Sequence, residues 1–181
     1  MDKKIDFLYA SISDIQSTIR SIDVKSGFMF VLLFTPIYNF DKTSLLYRAI
    51  LNKPVWFHCA VIINILIWLL AITSLLMSVV AIANPSKHVS GASEPGSFYG
   101  GDLFSLSLAD TFINFRNVSA RSVQQEISKL PEKEENIIHE LTFEKIKLSY
   151  IRAIKTKRFT FCIYSTFLWI FTGMILYIFY L

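Results

Sequence analysis

Residues 159–181 contain no charge, no Pro and no Asn, and at about 1.5 Å per helical residue they exceed the ~30 Å hydrocarbon core of a bilayer. Inside lipid, backbone N–H and C=O groups have only one another as hydrogen-bond partners, so such a run predicts a membrane-spanning helix. Immediately before it stand Lys145, Lys147, Arg152, Lys155, Lys157 and Arg158, with no acid and no helix breaker among them. A single helix is therefore expected from 132 onward, wet over 132–158 and in lipid over 159–181.

Two further apolar segments precede it. Residues 55–83 form a run long enough to cross and protrude, and they are expected as the second span. Residues 27–40 are short for a crossing, so the first span is placed at 24–40, with Val24 and the aliphatic stem of Lys25 adding length. Apolar residues make up 53% of the chain, with 16 Phe, 8 Tyr and 3 Trp, which fits a small membrane protein. The fold class expected is an all-α membrane protein with three transmembrane helices per subunit and a helical cytoplasmic domain, assembled as a homo-oligomer.

Residues 1–23 are polar but place Ile5, Leu8, Ile12, Ile15, Ile19 and Ile22 at a three-and-four spacing, the mark of one apolar helix face that must be covered. After the hairpin 24–83, residues 84–101 hold Pro85, Pro95 and four of the six glycines and read as a loop. A partly buried helix is expected over 104–118, with a strand at 103–108 as the alternative, and a weaker helix over 119–128. Pro131 then breaks the chain before the long helix. In that helix Ile137, Leu141, Leu148 and Ile151 lie on a heptad-like line with Glu144 in the missing position, a seam suggesting an assembly of specified register. The division expected is 1–23, 24–83, 84–158 as a sensor segment, and 159–181.

Orientation follows from the basic residues. Lys3, Lys4, Arg20 and Lys25 precede the first span, eleven Lys and Arg fall in 84–158, and none follows the last span. The positive-inside bias puts the N-terminus and 84–158 in the cytoplasm and Leu181 outside.

Signatures of catalysis are missing. His58, His88 and His139 lie on three different segments, no phosphate-loop, zinc-protease or nucleophile-elbow motif is present, and Cys59 and Cys162 lack metal-ligand spacing. No enzyme, catalytic residue, metal or cofactor is expected. Asp23 and Lys25 stand where the chain enters the apolar layer, where a charge needs a partner. Their readings are pairing with the juxtamembrane part of the last helix or plain interfacial anchoring by a snorkelling lysine. Phe98, Tyr99, Gly100 and Gly101 close the loop as two aromatics before a tight glycine turn, suited to the membrane interface or to stacking on a base.

Asp23-x-Lys25-Ser26 ahead of the first span, a two-span hairpin, Phe98-Tyr99-Gly100-Gly101 after it, and a long helix with Glu140-Leu141, Lys147, Arg152 and Ala153 together resemble the Pycsar-type transmembrane effector family. The resemblance covers most of the chain and implies a bacterial anti-phage effector of the inner membrane that senses a nucleotide signal from a partner cyclase or nucleotidyltransferase and permeabilises the membrane. On that resemblance the family's Asp and Lys fall on Asp23 and Lys25, its aromatic-glycine turn on Tyr99 and Gly100, and its helix Lys and Arg on Lys147 and Arg152. The chain departs from the pattern in its strongly aromatic third span. It is also similar to the Hailong type of system, which implies an oligonucleotide that holds a channel shut.

A nucleotide site needs cations for phosphate and flat groups for bases. Arg116, Arg121, Lys145, Lys147, Arg152 and Lys155 are the cationic candidates, with Phe98, Tyr99 and Phe115 available for stacking. For Lys155, Lys157 and Arg158 the favoured reading is binding to anionic headgroups. Within the spans, Asn64, Ala71, Ser74, Ser78 and Ala81 make a small or polar stripe, matched by Ser165 and Thr172 on the last helix. Such stripes let helices approach closely, or line a narrow water path where several subunits surround an axis. The partners expected are the bilayer, further copies of the chain and a regulatory nucleotide or oligonucleotide. A non-conducting membrane scaffold explains the seam and the basic run equally well.

Overall fold

The structure, a computed structural model, describes residues 3–39, 41, 53–82, 85–90, 119 and 122–180. Helix α1 spans Lys3–Tyr38, α2 Val55–Val79, α3 Val123–Ile127 and α4 Glu134–Tyr180, and a 3-10 turn occupies Pro85–His88. The described residues are helical, with no strand among them. Three of the helices, α1, α2 and α4, are long and apolar enough to cross a membrane.

The amphipathic stretch and the first span, expected as separate elements, are one helix of 36 residues. Nothing between them stops a helix except Gly27, whose cost in a helix interior is only about 1 kcal/mol. Pro36, which lacks an N–H for the ladder, sits in the last turn, and the helix ends two residues later at Tyr38. Thr35 turns its hydroxyl to Val31 O at 2.8 Å, and Asn39 donates both its backbone N–H and its side-chain amide to Thr35 O at 3.1 Å, so the last turn closes on itself. Helix α2 starts after Pro54, whose carbonyl accepts from Phe57 N at 2.9 Å, and it ends at Val79, short of the expected 83. Helix α4 begins with Glu134 and Glu135 in its first turn, where carboxylates oppose the positive end of the dipole. From there it runs unbroken for 47 residues, as the sequence predicts. In place of a helix over 119–128 there is the single turn of α3, set by a capping box between Ser122 and Gln125. The helix expected over 104–118 lies outside the described residues.

The chain divides into two compact units. The first comprises Met1–Ile15 and Asn84–Tyr150. Its core joins Leu8 and Ile12 of α1 to Leu141 of α4, with Ile5, Ile137, Ile138 and Leu148 packed around them. The apolar face of α1 is thus covered by Ile137, Leu141 and Leu148, three members of the heptad line. That line is not a free assembly seam, because its partner is the same chain's own first helix. Glu144, in the missing heptad position, is 7% exposed and ion-paired with Lys147, which is 5% exposed, one turn further along α4. His88 stacks on Tyr150 with ring centroids 4.6 Å apart.

The second unit comprises Gln16–Ala83 and Ile151–Leu181. Its three helices alternate in direction. Ser26 meets Ser78 and Leu33 O accepts from Trp68, so α2 runs against α1. Met77 O meets Arg158 and Asn64 meets Thr172, so α2 also runs against α4. At their centre Leu33, Ala71, Leu75 and Cys162 have no exposed surface, and Met29, Phe34, Trp68, Ile72 and Trp169 pack onto them. Ala71 admits the neighbouring helices closely, which is how helices associate where lipid removes the hydrophobic drive. Phe28, Val31, Ile62, Leu66, Phe167 and Phe171 point outward, an apolar girdle suited to acyl chains rather than water.

Leu141→Ala is expected to destabilise the first unit by about 2–4 kcal/mol. Hydrogen exchange checks it: amides around Leu8 and Ile12 should lose protection while those around Leu33 and Leu75 keep theirs.

Candidate functional site at the polar layer

Each helix of the second unit brings a polar group to one layer. On α1, Asp23 and Ser26 are three residues apart and so share a face. On α4, Lys155 and Arg158 do the same. Helix α2 supplies Ser78 and the backbone carbonyl of Met77. Lys155 Nζ donates to Asp23 Oδ1 at 2.5 Å, Ser26 and Ser78 hydroxyls lie 3.3 Å apart, and Arg158 Nη1 donates to Met77 O at 2.8 Å.

The two ends of the ion pair are unequal. Lys155 is 8% exposed, whereas the Asp23 side chain is 45% exposed. An ammonium out of water costs several kcal/mol unless compensated, so Asp23 makes the position of Lys155 possible. Arg158 solves a different problem. The last four carbonyls of a helix have no intrahelical donor, and the end carries partial negative charge. Helix α2 has no basic residue in its last turn, and the guanidinium of α4 takes that role from outside.

The sequence placed these two cations on lipid headgroups; in the structure each also makes a bond within the chain. Asp23 meets the juxtamembrane part of the last helix, one of the two readings open for it, while Lys25 is exposed. Lys157 is likewise exposed.

Further into the unit, Asn64 donates its amide to Trp169 O at 2.9 Å and to Thr172 Oγ1 at 2.6 Å. Ser74, Ser78 and Ser165 are buried, with Ser74 and Ser78 bonded to carbonyls of their own helix. In the single chain these positions sit in helix contacts. Of the proposed nucleotide ligands, Lys145 lies 5.2 Å from the centroid of the Phe7 ring, Lys147 is paired with Glu144, and Arg152 is half-buried. Tyr99, Gly100, Gly101, Arg116 and Arg121 lie outside the described residues. Among the described residues no group of three or more His, Cys, Asp or Glu is placed to hold a metal ion.

Sequence reasoning missed Arg158 as the cap of α2 and Glu144 as the counter-ion of Lys147. The signals were there in part: a helix with no cation in its last turn, and an acid three positions before a lysine on a face that is otherwise apolar.

Among the described residues the fold is all-helical, and three of its helices are long and apolar enough to cross a membrane. No protein-family model, curated protein or solved structure matches the chain.

Asp23→Asn should destabilise the protein more than Lys155→Met, by about 1–3 kcal/mol, because only the first strands a buried ammonium. Thermal unfolding of both variants in one detergent checks the order. Arg158→Gln should cost about 1–2 kcal/mol by opening the end of α2, and Arg158→Lys should recover part of it through charge alone. The same thermal measurement decides.

Proposed function

We propose that the chain is the subunit of a homo-oligomeric channel of the bacterial inner membrane, acting in anti-phage defence, with 84–158 in the cytoplasm. Its conduction is set by a nucleotide or short oligonucleotide made by a partner cyclase or nucleotidyltransferase. The observation that carries this reading is the continuity of α4: one helix bears Lys147 and Arg152, then Lys155 and Arg158, then the apolar span. A ligand phosphate at Lys147 displaces Glu144 as its counter-ion, and the shift is passed along the helix to the pair with Asp23 and the cap on α2. The centre of the three-helix unit is closed, so the path for ions belongs to the axis between copies.

Two signs of control fit the same helix. A cyclic pyrimidine nucleotide opens the pore, or a bound oligonucleotide keeps it shut until phage enzymes remove it. A ligand shifts the balance only by its difference in affinity for the two states. The second reading, a non-conducting scaffold, is favoured by one observation: Ser74, Ser78 and Ser165, the hydroxyls suited to a water path, are buried within the single subunit.

Potassium flux from liposomes separates the readings. A channel leaks when cyclic pyrimidine nucleotides are added, or leaks without ligand and is closed by oligonucleotides; a scaffold does neither. Arg152→Ala should weaken nucleotide binding about tenfold or more, a loss of about 1.4 kcal/mol, while leaving assembly size unchanged. Unaltered binding removes Arg152 from the site. Lys147→Ala is a poorer probe, since it strands Glu144.

A further inference from the structure

Helix α1 is too short to accompany its two partners across the second unit. Trp68 Nε1 donates to Leu33 O at 2.9 Å, which fixes the level of Leu33, and α1 ends five residues later at Tyr38. Because α2 runs the other way, that end falls near the level of Asn64. Beyond it α2 continues for on the order of 13 Å, and α4, counted from Thr172, for on the order of 12 Å, at 1.5 Å per residue. Over that stretch, among the described residues, the face of α4 that carries Trp169 has no part of α1 beside it.

A groove of about 430 Å³ lies there. Asn64 stands at one end, and Trp169, Ile170, Gly173, Met174 and Tyr177 of α4 form the wall. These α4 positions recur every three or four residues, so they make one continuous strip. We infer that this groove holds a lipid acyl chain, from the leaflet at the end of the bundle where α2 begins.

Four features favour that occupant. The groove lies wholly within segments long and apolar enough to be in lipid, so the medium around it is acyl chain. Asn64 already commits its amide nitrogen to Trp169 O and Thr172, and apart from the Trp169 indole and the Tyr177 phenol the rest of the wall is apolar, which favours an apolar filler. Its volume holds on the order of 14 groups the size of a water or methylene, at about 30 Å³ each. Finally, its lining suits a thin flexible chain better than a second helix. Helices associate in lipid through strips of small residues, whereas here a single glycine sits among Ile170, Met174 and Tyr177. Gly173 is the notch: a Cβ added there would meet only the Asn64 amide, at 3.7 Å, and anything larger projects into the groove. The acyl chain takes the place that a longer α1 would fill.

Tryptophan quenching tests this. The full chain carrying Trp56→Phe and Trp68→Phe, so that Trp169 alone emits, is reconstituted in dioleoylphosphatidylcholine vesicles and in vesicles of the same lipid brominated across its double bonds. A parallel protein keeps only Trp56, which faces outward and does not line the groove. Bromine should cut Trp169 emission at least twofold. Gly173→Leu should remove half or more of that quenching, Gly173→Ala little of it, and neither should alter quenching of Trp56. An unquenched Trp169 overturns the inference, as does an equal response of both tryptophans to Gly173→Leu. Quenching that grows as the protein is diluted in lipid also overturns it, because a second copy then fills the groove. Should the leucine variant fail to fold, the quenching of Trp169 by chains brominated near the middle rather than near the headgroup decides: equal quenching by both overturns the inference.

Discussion

A buried ammonium cannot stand alone, and much of the second unit follows from where Lys155 finds its carboxylate. Helices slide in steps of about 1.5 Å per residue, while a charged hydrogen bond tolerates only tenths of an ångström. Asp23 therefore fixes the register of α4 against α1, and Arg158 on Met77 O fixes α4 against α2. With those set, Leu33 arrives beside Cys162, Trp68 reaches Leu33 O, and Asn64 reaches Thr172. In a medium that gives no hydrophobic reward for helix contact, such directional bonds and close packing decide how the helices meet.

The same two helices are joined by different means in the two units. In the first, aliphatic side chains of α1 and α4 meet, Leu8 and Ile12 on Leu141, and each buried side chain is worth about 1.5–3 kcal/mol against water. In the second, hydroxyl, amide, indole and guanidinium groups supply the fixed points around a small buried centre of Leu33, Ala71 and Leu75, and much of the remaining apolar surface faces outward. A helix long enough to belong to both has to change its chemistry partway. In α4 that change falls across Arg152 to Arg158, and in α1 across Asp23 to Ser26.

Length and composition made the three spans legible, because an uncharged run of some twenty residues has few alternatives. The continuity of α1 was not legible. An amphipathic helix and a short span read differently by composition yet share one period, and the sequence does not say that Gly27 is tolerated between them. The heptad line of α4 showed that a face is covered, but such a line is silent on whether the covering chain is the same one. Asp23 announced a need for a partner through its depth. The cap of α2 by Arg158 gave no side-chain pattern, since its acceptor is a backbone carbonyl. The placement of Lys147 was hidden because Glu144 read as the odd member of a heptad seam rather than as the counter-ion of Lys147.

Asp23 and Lys155 are 132 positions apart, whereas Ser26 and Ser78 are 52 apart. A ribosome therefore delivers α1 and α2 together and α4 much later: about 75 residues separate the end of α2 from Lys155, a delay of roughly 4–15 s at about 5–20 residues per second. Throughout that interval the hairpin lacks the ammonium that meets Asp23 and the guanidinium that meets the end of α2. The register of the hairpin against α4 is therefore set only when Lys155 and Arg158 arrive, long after the contact of Ser26 with Ser78 has become available.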